Sequence, residues 1–340
     1  MSSFVKNVAM SQIQLEYFPF RLNFKYPFRL SHTERTGTDN VYVLLKLNGE
    51  IGWGECVFIP YYAETIETFK QLITQIQLPE NLNEIDRFIS TLRSTHSNKN
   101  FCIAAIDIAL HNLRSKITQQ SITDFYKINA EPKETSFTLG ISDDNEMEIK
   151  IADNPGMSYY KLKVNQAEVN RIIETFERFS NKPFTIDANQ GFTDRNEALK
   201  LSYQLADKGV WYMEQPFHKD DLESHAWLKA RSPIPIIADE SFQSYEDLEK
   251  IVKYFDGVNV KVMKCGGISE GVRCLNRSHE MELKTIIGCM SESSVAIDAS
   301  LQIAPLSDWI DLDGNQLITN DLFGKNYQGL EKTISILKQK

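Results

Sequence analysis

The pattern of hydrophobic and polar positions changes near residue 125. From Ser11 to about Phe58 apolar and polar residues alternate in "QIQLEYFPFRLNFKYPFRLS" and "NVYVLLKLNGEIGWGE", which is typical of β-strands, and Asn48-Gly49 predicts a turn between two of them. Three helical patterns follow, with apolar residues at i, i+3 and i+4: "ETIETFKQLITQIQ", "NLNEIDRFISTLRS" and "FCIAAIDIALHNLRSKI". The last is apolar enough to be largely buried. These patterns predict an α+β domain over residues 1–125.

Beyond residue 125, short apolar runs alternate with amphipathic helices. The runs are "SFTLGI", "YYKLKV", "FTIDAN", "VWYMEQ", "IPIIADE", "GVNVKV", "KTIIGCM" and "WIDLD". Repeated βα units imply a parallel sheet, and eight of them favour a (β/α)₈-type barrel over residues 126–314. The remaining segment, 315–340, has one further helical pattern and is expected to pack back on the first domain.

Composition narrows the range of partners. The 340 residues carry a formal net charge of −9, which argues against nucleic acid or an anionic membrane surface as a partner. No apolar run approaches the ~20 residues needed to cross a bilayer. The five cysteines are scattered and odd in number, so neither a disulfide framework nor a thiolate zinc site is indicated. We expect a cytoplasmic protein that acts on a small molecule; homo-oligomerisation stays open.

A charged residue ends five successive apolar runs. These residues are Lys163, Asp187, Glu214, Asp239 and Lys261, and the intervals between them are 24, 27, 25 and 22 positions. One βα unit is about that long. The charges therefore fall at equivalent places on successive strands, and they should converge at the C-terminal mouth of the barrel, where barrel enzymes keep their active sites.

The three carboxylates would repel one another at adjacent strand ends. A hard cation that prefers oxygen ligands, such as Mg²⁺, would neutralise Asp187, Glu214 and Asp239 together. A single acidic residue in such a place is commonly a helix N-cap or a solvated loop residue. Because the residue type recurs on three successive units, the sequence predicts a metal site.

The lysines on either side of the acidic series predict acid–base chemistry. Lys163 and Lys261 would face each other across the metal, so one could remove a proton from a substrate and the other return it. We expect the pKa of such a base to be lowered by nearby cations. Lys161 shares a strand face with Lys163, and it is a candidate for substrate binding or for orienting a carboxylate. Lysines on an edge strand, which deter aggregation, are the simpler alternative.

The chain resembles the enolase superfamily, and within it the muconate-lactonising-enzyme subgroup. The resemblance rests on "NVYVLLKLNGEIGWGE", "FCIAAIDIALHNL", "KLK" at 161–163, "DAN" at 187–189, "EQP" at 214–216, "ADES" at 238–241 and "NVKVMKCGGI" at 259–268. It implies a capping domain on a modified barrel, Mg²⁺ on Asp187, Glu214 and Asp239, and Lys163 and Lys261 as acid–base lysines that act through an enediolate.

Three further residues receive supporting roles from this comparison. In "KVMK" the resemblance places the catalytic lysine first, and a period of two makes Lys264 face away from Lys261, so Lys264 is expected to support the site. Asn189 and Glu240 adjoin the expected metal ligands and are candidates to orient them. Satisfying nearby loop backbone is the alternative for both.

"WIDLDG" narrows the expected function. A D-x-D motif at this place resembles the dipeptide epimerases, where Asp311 and Asp313 would bind the substrate's α-ammonium group. A turn with a helix cap is the alternative. The resemblance thus implies a Mg²⁺-dependent dipeptide epimerase that transfers the α-proton of the C-terminal residue. The same lysines and carboxylates would also serve an o-succinylbenzoate synthase, an N-acylamino acid racemase or a cycloisomerase, and a catalytically silent binding module is a further alternative.

The stretch "PFRLSHTERTGTDN" departs from the family pattern. It corresponds to the specificity lid, and it has no secure match to the arginine that some dipeptide epimerases use for a substrate glutamate. Arg35 is close but displaced, and Glu34 and His32 alter the local charge. A preference for Ala-Glu does not follow, and a hydrophobic or cationic second residue is left open.

Overall fold

The computed structural model describes residues 12–29, 34–60, 62–129, 131 and 133–324. Its first part is an antiparallel sheet of three strands in the order β1-β2-β3, followed by helices. The strands are β1 (Gln14–Arg29), β2 (Glu34–Leu47) and β3 (Glu50–Phe58), and the helices are α1 (Ile66–Gln75), α2 (Ile85–Thr95), α3 (Asn100–Thr118) and α4 (Ile122–Phe125).

Helix α3 packs directly on the backbone of β3. A Cβ atom on Gly54 would lie 1.9 Å from the carbonyl oxygen of Ala105, and one on Gly52 would lie 2.2 Å from that of Ala109. Only glycine allows so close an approach. The "GWG" of β3 is therefore required by the buried helix that crosses it.

The second part is a curved sheet of eight parallel strands in the order β11-β10-β9-β8-β7-β6-β5-β4. The strands are β4 (Phe137–Leu139), β5 (Tyr160–Lys163), β6 (Phe184–Asp187), β7 (Met213–Glu214), β8 (Ile236–Ala238), β9 (Gly257–Lys261), β10 (Lys284–Gly288) and β11 (Trp309–Asp311). The helices between them are α5 (Asp144–Asp153), α6 (Val169–Phe179), α7 (Arg195–Asp207), α8 (Leu222–Lys229), α9 (Leu248–Ile251), α10 (Val262–Cys265), α11 (Ile268–Glu280) and α12 (Ser294–Leu301).

The first and last strands of the curved sheet meet through isolated hydrogen bonds. The backbone amide of Ser136 donates to the carbonyl of Ile310 at 3.1 Å, and that of Leu312 donates to Oγ1 of Thr135 at 2.7 Å. The sheet is thus a nearly closed barrel. Each of the eight predicted runs contains one of its strands, so the predicted fold class is confirmed.

The two parts share one hydrophobic core. Buried apolar residues of β2, β3 and α3 form a single cluster with those of the barrel strands and helices. The predicted helix in "SYEDLEKIVKYF" is shorter than its pattern, because a 3₁₀ turn, Tyr245–Asp247, precedes α9. Within the described ranges, none of the helices has both the length and the apolar character of a membrane span.

The beginning of the C-terminal segment contacts the antiparallel sheet. Ile318 forms a bridge with Phe24, and the amide of Thr319 donates to the carbonyl of Asn23 at 2.9 Å. The ring of Phe323 lies 4.9 Å from that of Trp53. The further helix predicted before residue 340 lies outside the described residues, and the predicted domain boundaries stay predictions.

Candidate active site

The parallel register places the charged strand ends side by side. Lys163 is paired with Asp187, and Asp187 with Glu214. On the other side of the barrel, Gly288 is paired with both Lys261 and Asp311. The equal spacing in the sequence therefore becomes one ring of charges at the C-terminal mouth.

Three carboxylates form a compact cluster in this ring. Oxygen atoms of Asp187, Glu214 and Asp239 all lie within 4.8 Å of one another, and all three residues are buried. Nδ2 of Asn259 donates to Oε1 of Glu214 at 2.7 Å. Oε2 of Glu214 lies 2.7 Å from Nζ of Lys161. The middle carboxylate is thus held from two sides.

Protonation of the cluster depends on burial and on the lysines. Burial, together with the charge of Asp187, raises the pKa of Glu214 to about 7. Burial acts in the same direction on Asp187 and Asp239, but the neighbouring lysines outweigh it and lower the pKa of both. Three converging carboxylate oxygens are the donor set that hard divalent cations prefer. The residues therefore fit a metal of that type.

Lys163 and Lys261 flank the cluster and line the cavity above it. Nζ of Lys163 donates to Oδ2 of Asp187 at 2.6 Å, and Nζ of Lys261 to Oδ2 of Asp239 at 2.8 Å. Their strands, β5 and β9, are four positions apart in the eight-stranded order. The two amines therefore lie on opposite sides of the barrel mouth.

The protein groups shift the pKa of Lys261 in the direction opposite to the one expected. Burial lowers it, but the charges of Asp239 and Glu214 have the larger combined effect, and the pKa is raised. The expectation took the metal charge as dominant, whereas the protein groups around this amine are mainly carboxylates. The same carboxylates are the groups that a divalent cation would neutralise.

Lys161 and Lys264 lie behind the cavity wall, and each is only 1 % exposed. Nζ of Lys161 lies 2.7 Å from Oδ2 of Asp311, in addition to its contact with Glu214. This position favours the role of orienting carboxylates over direct contact with a substrate.

The prediction that Lys264 faces away from Lys261 is wrong. Strand β9 ends at Lys261 and the helical turn α10 follows, so a period of two does not apply. Nζ of Lys264 donates to Oδ1 of Asp239 at 2.6 Å, and also to the carbonyls of Asp239 and Phe242. Both lysines therefore hold the same carboxylate. Lys264 has three acceptors and no access to the cavity wall, as expected of a supporting residue.

Asn189 and Glu240 lie together at the edge of the carboxylate cluster. The amide of Asn189 donates to Oδ1 of Asp187 at 2.9 Å, and its Nδ2 donates to Oε1 of Glu240 at 3.2 Å. Burial and the charge of Asp239 raise the pKa of Glu240 to about 8. Both residues line the cavity.

Asp311 and Asp313 form a second acidic group in the same cavity. Asp311 accepts from Oγ of Ser136 at 2.6 Å and from Nζ of Lys161 at 2.7 Å. Oδ2 of Asp313 accepts from the amide of Thr138 at 2.5 Å. Burial and the charge of Asp311 raise the pKa of Asp313 to about 6. The side chain of Asp313 makes no cap hydrogen bond to the following 3₁₀ turn.

The antiparallel sheet supplies the outer wall of the cavity. Phe24, Tyr26 and Arg35 of its first two strands line the cavity, together with Lys150 of α5. The guanidinium of Arg35 lies 5.5 Å from the ring centre of Phe24, and Nζ of Lys150 lies 5.3 Å from that of Tyr26. A cation thus lies against each of the two rings. His32 lies outside the described residues.

Sequence reasoning missed several polar residues that hold the site. Asn259 could have been found by alternation, because it lies two positions before Lys261 on the same strand face. Ser136 immediately precedes the first barrel strand and Thr138 lies on it, and they reach Asp311 and Asp313 only because the barrel closes there. Lys150 lies on a helix, and no strand-end pattern points to it.

Comparison with known proteins agrees with this architecture. Residues 146–313 match the family model of the enolase C-terminal domain-like fold, and residues 12–126 match that of the mandelate racemase/muconate lactonizing enzyme N-terminal domain. The L-Ala-D/L-Glu epimerase of Bacteroides thetaiotaomicron is 33 % identical, over 92 % of this chain and 82 % of its own length.

Solved structures extend the comparison. The N-succinyl Arg/Lys racemase of Bacillus cereus superposes with a TM-score of 0.86 at 26 % identity, covering 96 % of this chain and 98 % of its own. The dipeptide epimerase of Enterococcus faecalis, complexed with Mg and the dipeptide L-Leu-L-Tyr, superposes with a TM-score of 0.82 at 26 % identity, covering 91 % and 92 %. From its two domain matches and this relationship along nearly its whole length, the chain belongs to the mandelate racemase/muconate lactonizing enzyme family.

Proposed function

We propose that the protein is a Mg²⁺-dependent dipeptide epimerase that inverts the α-carbon of the C-terminal residue. The observation that carries this proposal is one cavity with two opposed lysines at its base and a second acidic pair beside them. The lysines, Lys163 and Lys261, suit proton transfer at a single carbon. The acidic pair, Asp311 and Asp313, suits a substrate with a free ammonium group.

Proton transfer needs one lysine as the neutral amine and the other as the ammonium. The amine takes the α-proton, the C–H electron pair moves into the substrate carboxylate, and the ammonium opposite returns a proton to the other face of the carbon. Epimerisation in the reverse direction exchanges the two roles. Because Lys163 and Lys261 approach from opposite sides of the mouth, each serves one configuration of the substrate.

Asp187, Glu214 and Asp239 would hold the metal. When bound, Mg²⁺ supplies charge that stabilises the doubly negative carboxylate formed on loss of the α-proton. Lys161, Lys264 and Asn259 keep the three ligands in place through the contacts described above. These residues are buried or satisfied by protein acceptors, which suits a positioning role rather than contact with the substrate.

The acidic pair defines the other end of the substrate. Asp311 already accepts from Lys161 and Ser136, whereas the hydrogen-bond donor to Asp313 is the neutral residue Thr138. A dipeptide with its C-terminal carboxylate at the metal would bring its ammonium to this end and give Asp313 a cation. An N-acylated amino acid has no such cation, so the proposal favours dipeptides over N-acyl substrates.

The outer wall limits the side chain of the C-terminal residue. Arg35 and Lys150 place two cations beside the rings of Phe24 and Tyr26. Like charges repel in a partly buried site. Lys150 is itself paired with Glu146 at 2.7 Å. Of the second residues left open by the sequence, a hydrophobic one, which can pack on these rings, is therefore favoured over a cationic one.

The test is incubation in D₂O with Mg²⁺, followed by proton NMR at the α-carbon. L-Ala-L-Leu and L-Ala-L-Glu should exchange and epimerise at the second residue, L-Ala-L-Lys should react more slowly, and N-acetyl-L-Ala-L-Leu more slowly than its free form. N-Succinyl amino acids serve as the competing substrate class. Faster turnover of the N-succinyl compounds would reassign the protein to the N-acylamino acid racemases.

A further inference from the structure

The segment that follows Lys261 is held by the capping domain, here residues 12–125. This segment comprises α10, Gly266, Gly267 and the first turn of α11. It begins directly after Lys261, whose amine is one of the two proposed bases. It also contains Lys264, which binds the carboxylate of Asp239. Any shift of the segment would therefore move the Lys261 side of the site.

Three side chains of α3 bind this segment directly, and one of them, His111, has its Nε2 3.2 Å from Oγ of Ser269. Nδ2 of Asn100 donates to the carbonyl of Lys264 at 2.8 Å. Asp107 is fully buried; its carboxylate accepts from the amide of Ile268, from the amide of Ser269 at 3.3 Å and from Oγ of Ser269 at 2.7 Å. A carboxylate from the capping domain thus caps the N-terminus of a barrel helix, where the helix dipole favours negative charge.

The backbone of the segment is shaped to receive Asp107. Gly267 has φ of +123°, a conformation that residues with side chains rarely adopt. A Cβ atom there would lie 2.3 Å from Oδ2 of Asp107. The glycine and the aspartate are therefore fitted to each other, and this fit accounts for the second glycine of "KCGGI".

The Lys163 side of the site has a different support. After β5, the amide of Val164 donates to the carbonyl of Asp187, and that of Gln166 to the carbonyl of Gly191. These partners belong to the barrel itself. The two proposed bases thus differ in what holds the chain next to them.

We propose that Asp107, assisted by Asn100, is a positioning residue for Lys261. This inference rests on the proposed two-base epimerisation. The capping domain then does more than cover the substrate, because it fixes the turn from which one of the two bases extends. A displacement of about 1 Å at a reacting group can cost on the order of 100-fold in rate, so the loss of Asp107 should be visible in catalysis as well as in stability.

The test uses the stereochemistry of the reaction. Rates of epimerisation in the two directions must fall together, because the equilibrium constant is fixed. Solvent exchange of the α-hydrogen, measured in the epimer that was added and before it is converted, is not bound by the equilibrium constant. The exchange rate of each epimer therefore measures the base that removes its α-proton. Single variants Lys163→Ala and Lys261→Ala first establish which epimer each base serves.

In Asp107→Ala, exchange of the Lys261-served epimer of Ala-Leu should fall roughly 10- to 100-fold, whereas exchange of the Lys163-served epimer should change less than about twofold. Asp107→Asn keeps an oxygen that can accept from the amide of Ile268, so it should restore part of the loss. Asn100→Ala removes one hydrogen bond to the same segment and should give a smaller loss with the same stereochemical bias.

Asn112→Ala is the matched control. Asn112 lies on the same helix, but its Oδ1 accepts from the amide of Trp53 in β3 at 3.0 Å, so it holds α3 to the antiparallel sheet rather than to the segment after Lys261. Its loss should lower the melting temperature without a bias between epimers. Equal loss for both epimers in the Asp107 variant, or no loss in either, would overturn the inference. If that variant does not fold, Asn100→Ala decides by the same criterion.

Exchange by the parent protein separates this inference from the proposed function. A parent that exchanges neither epimer of any dipeptide contradicts the epimerase assignment itself. A parent that exchanges both epimers, together with unbiased Asp107 and Asn100 variants, leaves the epimerase assignment intact and contradicts only the positioning role.

Discussion

The two ends of the cavity treat negative charge differently. At the end with Asp187, Glu214 and Asp239, four lysines lie among or beside the carboxylates, and the pKa of the two aspartates is lowered, although burial and Asp187 raise that of Glu214 to about 7. At the other end, Asp311 shares Lys161 with the first end, and the pKa of Asp313 is raised to about 6. The first end has an ion pair for each of its carboxylates, whereas Asp313 at the second end makes no ion pair within the described part of the chain and feels the charge of Lys161 only from a distance.

This difference indicates what each end does. At the first end, ion pairs with lysines hold the buried carboxylates in fixed positions. The amines of Lys163 and Lys261, which also line the cavity, are available for proton transfer. A buried carboxylate held by a backbone amide gains most from a cation that arrives with a ligand. The proposed substrate, with an anionic and a cationic terminus, matches the two ends in that order.

The largest expected effect is loss of a carboxylate at the first end. Asp239→Asn and Glu214→Gln should each lower turnover on the order of 10⁴-fold or more, because metal stabilisation of developing charge is worth several kcal/mol. Calorimetric titration with Mg²⁺ should show the matching loss of binding. Asp308→Asn is the control, since Asp308 accepts from the amide of Thr285 at the opposite end of the barrel. Full activity in the presence of excess chelator would refute the metal assignment.

The next largest effect concerns the amines of Lys163 and Lys261. Lys163→Ala and Lys261→Ala should each lower epimerisation roughly 10²- to 10⁴-fold, the usual contribution of a positioned acid or base. Each variant should retain solvent exchange of one epimer, and the two should retain opposite epimers. The measurement is deuterium incorporation by NMR. Epimerisation that survives in Lys261→Ala and is lost in Lys264→Ala would mean that the second lysine of "KVMK" is the base.

A smaller effect is expected at the second end. Asp313→Asn should lower kcat/KM for a free dipeptide roughly 10- to 150-fold, the equivalent of one charge-assisted contact of about 1.5–3 kcal/mol. For the N-acetylated dipeptide the loss should be much smaller, because no ammonium is present. Unchanged discrimination between the two substrates would contradict the ammonium contact and make "DLDG" a turn alone.

The smallest expected effect is a pH dependence of kcat/KM that arises from protonation of Asp313. The pKa of Asp313 is raised, so this carboxylate becomes protonated as the pH falls through about 6, and the ammonium contact is lost on the acidic side. The ionised fraction of Asp313 decreases roughly tenfold between pH 7 and pH 5. We expect kcat/KM for the free dipeptide to fall by a similar factor over this range. The ratio of parent to Asp313→Asn should shrink toward acidic pH; a constant ratio would contradict this assignment.

The sequence by itself determined the arrangement of elements and the chemistry of the strand ends. Alternation and helical spacing identified the antiparallel strands of the first part, three of its helices and all eight barrel strands, because these periods follow from the geometry of a single element. The interval of one βα unit was enough to place Lys163, Asp187, Glu214, Asp239 and Lys261 in one ring. Asp311 and Asp313 were found at the end of the eighth run, and their expected role came from the family resemblance.

Tertiary structure alone decided which of these side chains face the cavity and what supports them. Lys161 and Lys163 share one strand face, yet of these two only Lys163 lines the cavity. Alternation shows which face of a strand a side chain is on, but it does not show how far that side chain lies from the barrel mouth. Lys264 holds Asp239 because a helical turn replaces the strand after Lys261. Asp107 reaches Ile268 across 161 positions of chain. Contacts of this kind depend on how elements pack, and no local pattern of residues records them.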